Sequence, residues 1–191
     1  MIKNTFLLLL LVIMVASTTQ AQCVEDFLAL RKSNIQEVNL RLSNLNWQLY
    51  DEDEQRKDDI IVYTYKNEND IDAMLGIQWI DYVNRPKHYN KNRLSFQVQN
   101  KELYEQFVNE IKTLGFYYIY QKNVYDNDVM LYSNSDVTIE IIESKSKYMY
   151  DGGTYYNFAF YNKLEYEVVF RDENPLENNP FTSISLYNKS K

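Results

Sequence analysis

Between residues 24 and 45 the apolar side chains Val24, Leu28, Ile35, Val38, Leu42 and Leu45 recur at steps of three, four and seven. That spacing predicts a helix with one oily stripe laid against something flat, interrupted by Arg31. Asn46 suits the left-handed conformation that closes a helix, and Trp47 opens a run with strand character. The stretch from Asn100 onward follows the same plan. Leu103, Tyr104, Phe107, Ile111 and Leu114 form its stripe, Asn100 is placed to cap the helix start, and Gly115 to stop it.

Shifting one segment on the other by 69 positions matches Val38 with Phe107, Leu42 with Ile111, Leu45 with Leu114, Asn46 with Gly115 and Trp47 with Phe116. The register continues into the next strand, where "DIIVY" (59–63) falls on "DVMLY" (128–132). Two further strands follow in each half: 73–80 and 93–99 in the first, 137–143 and 154–161 in the second. Strands adjacent in sequence with no helix between them pair antiparallel. The pattern therefore predicts an α+β fold: a tandem duplication of a helix followed by an antiparallel four-stranded sheet, with the helices packed on one sheet face. The organisation expected is a signal peptide at 1–21, a first repeat at 22–99, a second at 100–171 and an irregular C-terminal tail at 172–191. The last strands sharpen the test. Tyr156, Phe158 and Phe160, then Leu164, Tyr166, Val168 and Phe170, all fall on even numbers, so a three-residue turn at 162–164 would oppose Phe160 with Tyr166 and keep one oily side. The tail is expected on the surface, with Phe181 and Leu186 as tethers.

The first residues change the picture of where this chain works. Lys3, an apolar run of eleven residues at 6–16, and small side chains at Thr19 and Ala21 have the layout of a cleavable export leader. Eleven helical residues reach only about 16 Å, half a bilayer core, so no membrane span is expected. Gln20 and Gln22 fit poorly with lipid attachment at Cys23, the one cysteine, which makes anchoring the minor alternative to periplasmic or extracellular release. No internal disulfide is possible, so the core alone must hold the fold. The leader, and richness in Asn, Lys, Ile and Tyr, resemble exports of Gram-negative Bacteroidetes.

A formal charge of −7 repels phosphate backbones and argues against nucleic acid as partner. Four glycines and three prolines leave little for phosphate-cradling loops. Eighteen tyrosines favour strands, and also suit an aromatic recognition face. The familiar catalytic motifs are missing, and no cofactor is implied. Acidic residues 51–54 and 58–59 match no calcium loop and also suit a soluble hairpin tip, so no metal is expected.

Two loops break the acidic trend. Residues 81–92, just after Trp79, carry Tyr82, Arg85, Lys87, His88 and Tyr89, and residues 144–153 carry Lys145, Lys147, Tyr148 and Tyr150. In a duplicated fold such loops are related by pseudo-symmetry, and Arg, Tyr and Trp are residue types that anchor interfaces. Long loops are also polar simply for solubility. The reading is an exported non-enzymatic binding module, an inhibitor, immunity-type or envelope-assembly partner, that meets another protein through an open sheet face and these loops. By architecture alone the plan resembles the secreted β-lactamase inhibitor family, itself a duplicated α/β unit, and that resemblance implies a protein partner. The alternatives are a glycan or small-ligand binder with an aromatic-lined cavity, and an enzyme built on paired carboxylates.

Overall fold

The computed structural model describes residues 23–50, 60–67, 70–78, 92–124, 127–145 and 153–167. The expected single N-terminal helix is two helices, α1 (Val24–Leu30) and α2 (Ile35–Asn44). The break follows from Arg31. Its side chain is buried with Nε donating to the Asn92 carbonyl at 3.1 Å, and the Asn92 amide donates back to the Arg31 carbonyl at 3.0 Å. A guanidinium turned inward cannot ride an oily stripe, so the chain stops and starts again. The restart is a capping box: Asn34 accepts from the Glu37 amide, and Glu37 accepts from the Asn34 amide. Asn46, at φ 62°, then turns the chain into β1 (Trp47–Leu49).

The following strands are β2 (Ile60–Asn67), β3 (Asp70–Gln78) and β4 (Arg93–Val98). Helix α3 (Lys101–Thr113) is capped by Asn100, which accepts from the Leu103 amide at 2.9 Å, and ends at Gly115 with φ 80°. Then come β5 (Tyr117–Val124), β6 (Asn127–Ser133), β7 (Val137–Lys145) and β8 (Thr154–Asn162), and a helical turn α4 (Lys163–Glu165).

The expectation of two four-stranded sheets, each beneath its own helix, is overturned. Among the described residues, all strands belong to one antiparallel sheet of eight, ordered β1-β2-β3-β4-β8-β7-β6-β5. The physical reason lies at the join. A four-stranded meander would leave the backbone of β4 and of β8 unpaired along its edge, and zipping those two edges together, Phe96 opposite Phe158, satisfies both. The 69-residue offset survives locally, since Gln48 opposite Thr64 shifts by 69 to Tyr117 opposite Ser133. It does not make separate sheets.

One sheet face carries the main core. Phe27 of α1 and Phe107 of α3 meet Phe96, with ring centroids 4.7 and 5.0 Å away, and Phe107 lies 5.4 Å from Phe158. Val38 and Leu42 bring α2 onto the same face, and Tyr104 stacks on Tyr156 at 4.0 Å. The helices α1, α2 and α3 thus share one layer.

The hairpin expected after β8 does not form. Both edges of β8 are occupied, by β4 and by β7, so a returning strand has no backbone left to pair with. Asn162 instead caps α4, its Oδ1 accepting from the Leu164 amide at 3.0 Å, and the chain climbs onto the far face. Among the described residues no helix is long and apolar enough to cross a membrane.

Candidate functional site

The far face is not open where its side chains are described. Val62, Thr64, Met74, Ser95, Leu131, Ala159 and Tyr161 are all buried on it. Among the described residues, Leu40 of α2 and Leu49 of β1 are exposed singly, and the other large exposed apolar side chains gather at the β5 edge of the sheet, where Tyr117, Tyr118 and Ile119 are 51, 52 and 43 % exposed and Leu164 of α4 is 44 % exposed.

The shape of this edge comes from a β-bulge. Tyr118 pairs with Tyr132, but Tyr120 pairs with Leu131, so Ile119 is an extra residue in β5. In a regular strand, residues 117 and 120 would point to opposite faces. The inserted residue puts both on the far face, Tyr117 across from Ser133 and Tyr120 across from Leu131, while Tyr118 stays on the helix side against Tyr132 at 5.5 Å. Between the two tyrosines lies an open cleft of about 280 Å³. Ile119, Leu131, Ser133 and Thr138 form its floor, and Lys163, Tyr166 and Glu167 its other wall.

Both tyrosines carry a cation. Lys163 Nζ lies 5.7 Å from the Tyr117 ring centre and donates to its hydroxyl at 3.1 Å, and Lys122 Nζ lies 5.6 Å from the Tyr120 ring centre. The hydrogen bond to Tyr117 raises the Lys163 pKa. Glu167, which also lines the cleft, raises the Lys163 pKa further by its charge, so the rim carries charges of both signs.

Beneath the cleft is a buried polar layer. Tyr166 donates to Glu140 Oε2 at 3.1 Å, and burial raises the Glu140 pKa from 4.5 to about 7 against the opposing hydrogen bond. Burial, then the Glu140 charge, push the Tyr166 phenol well above the ordinary tyrosine range, and the same causes act on wholly buried Tyr161. Next to it Arg93 donates to Glu165 Oε1, from Nε at 2.9 Å and also from a terminal nitrogen. Ser133 and Thr138 share a hydroxyl contact of 3.2 Å. Glu140 is held by a phenol rather than by a second acid, so the carboxylate pair expected of an enzyme is not what meets it here.

Of the residues singled out from sequence, Trp79, Tyr82, Arg85, Lys87, His88, Tyr89, Lys147, Tyr148 and Tyr150 lie outside the described residues, as do 1–22 and 51–59. Lys145 ends β7, its backbone opposite Thr154. The structure brings together a different set: Tyr117, Ile119, Tyr120, Lys163 and Tyr166. The aromatic run "YYIY" was the available signal, but nothing in it announces a bulge. No protein-family model, curated protein or solved structure matches this chain.

Proposed function

We propose that this chain is an exported, non-enzymatic binding module that takes a protein partner at its β5 edge. The carrying observation is the run of exposed Tyr117, Tyr118 and Ile119 on a strand that, among the described residues, is paired on one side only. Unpaired backbone groups give an added strand its affinity, and pockets beside them give specificity. The cleft has the size for one large partner side chain, and Lys122, Lys163 and Glu167 around it offer charges of both signs to a partner segment.

The test is capture of partners from the envelope of the host with the wild-type chain and with Tyr118→Asp/Ile119→Asp. A stoichiometric protein retained by the first and reduced at least tenfold by the second supports the reading; equal retention, or no stoichiometric protein, discards it. A glycan or small ligand in the cleft is the second reading, favoured by the far-facing pair Tyr117 and Tyr120. At about 280 Å³ the cleft lies at the lower end of ligand pockets. Calorimetric titration with monosaccharides separates the two.

A further inference from the structure

We infer that filling of the cleft and protonation of Glu140 favour one another, so that the β5 edge takes up its partner together with a proton. The inference rests on the reading of that edge as the partner site, and it stands on where Glu140 lies. The side chain sits in the middle of β7 and is 2 % exposed, with Leu131 opposite it on β6 and Ala159 opposite it on β8. Leu131 also lines the cleft, and so does Tyr166, which donates to Glu140 Oε2. A single layer of side chains therefore separates the carboxyl from solvent in the open cleft.

The groups around Glu140 fix the sign of the coupling. On β5, Lys122 favours the ionised carboxyl, and Tyr120 is hydrogen-bonded to Tyr166. On β8, burial holds Tyr161 as a neutral phenol. Arg93 of β4 is engaged by Glu165 of α4, and Lys163 and Glu167 attract each other on the cleft's other wall. From β6 the far face receives Val129, Leu131 and the Ser133 hydroxyl, none of which titrates. Burial is what raises the Glu140 pKa to about 7, so both of its states are populated near neutral pH and the ionised one depends on the solvent that reaches it. A side chain seated in the cleft displaces that solvent, which penalises the charge and raises the proton affinity. By reciprocity the proton strengthens the seating. Affinity is full below about pH 7, falls as pH rises between the empty-cleft and filled-cleft pKa values, and is lowest above them.

The test alters the cleft and reads the carboxyl. In full-length chains carrying 13C-labelled glutamate, the Glu140 carboxyl signal, assigned by its loss in Glu140→Gln, is titrated in wild type, in Ile119→Trp, which fills the cleft from its floor, and in Ile119→Ala, which opens it. The expected order of midpoints is Ile119→Trp above wild type above Ile119→Ala, with about half a pH unit or more between the extremes. Equal midpoints, the reverse order, or no titration of this carboxyl overturn the inference. Ile119→Phe serves in place of Ile119→Trp if the larger ring prevents folding. In the second arm, capture from the host envelope at pH 6 and pH 8.5 should yield about threefold more partner at the lower pH, a difference lost in Glu140→Gln. Equal capture at the two pH values also overturns the inference. Absence of a partner at both removes the partner reading instead, and the midpoints still decide the coupling.

Discussion

The two faces of the sheet are built from different materials. The helix side is aromatic and aliphatic nearly throughout, with Phe27 and Phe158 each in ring contact with both Phe96 and Phe107. The far side interleaves apolar side chains with the Tyr166 to Glu140 bond, the Arg93 to Glu165 pair and the Ser133 to Thr138 contact. Filled volume stabilises the first, and matched polar groups the second. Among the described residues, the second holds Glu140, whose pKa burial raises to about 7.

The largest effect belongs to the helix side. Phe96→Ala opens a void where α1, α3, β1 and β8 converge, and the expected loss is about 4 to 5 kcal/mol, read from the urea midpoint. A loss below about 2 kcal/mol would mean that the aromatic cluster is not the main core. Arg93→Ala is the matching change on the far side. It leaves Glu165, whose side chain is 1 % exposed, without its cation, at an expected cost of about 3 to 4 kcal/mol. Arg93→Met with Glu165→Leu should recover most of that loss, because the cost comes from an abandoned charge rather than from lost shape.

The faces should also separate on a pH axis. Glu140 has its pKa raised from 4.5 to about 7 in the fold. The native state therefore holds a proton more firmly than the unfolded chain. Its contribution is full below about pH 4.5, declines as pH rises through 7, and is absent above. The difference between those limits is on the order of 3 kcal/mol. Glu140→Gln keeps an acceptor for the Tyr166 hydroxyl and should remove this descending limb, leaving the variant more stable than wild type at pH 8. An unchanged slope in Glu140→Gln would place the titrating group elsewhere.

Much of the helix side was legible from residue order alone, because its determinants are local. Asn46 and Gly115 stop helices by their backbone freedom, and Asn100 caps by its own side chain. The two-helix N-terminus was legible too, in the Asn34 to Glu37 capping box, but the apolar stripe running through it concealed the break. What decides the break is Arg31 meeting Asn92, 61 positions later, and no local pattern carries that contact. The far side depends on such distant partners. The even-numbered apolar positions after Phe160 read as a strand, and only the occupation of both β8 edges shows that a strand has nowhere to go. The continuous run "IIVY" in β2, apolar on both faces, was a hint that Val62 on the far side is buried as well as Tyr63 on the helix side. The cleft depends on the extra residue Ile119, for which the sequence offers neither a glycine nor a turn signal.

The smallest prediction asks whether the faces are independent. Asn100→Ala removes the side-chain acceptor for the Leu103 amide at the start of α3, on the helix side of the sheet. The expected loss is about 1 kcal/mol, the ordinary cost of an N-cap. Since an amide does not titrate and Glu140 lies on the other face, the loss should be the same at pH 5 and at pH 8, and additive with Glu140→Gln at both. Matched denaturation curves of the single and double variants measure this directly. A loss that grew or shrank with pH would show the Glu140 proton coupled through the sheet to the seating of α3, and the two faces would then have to be treated as one electrostatic unit.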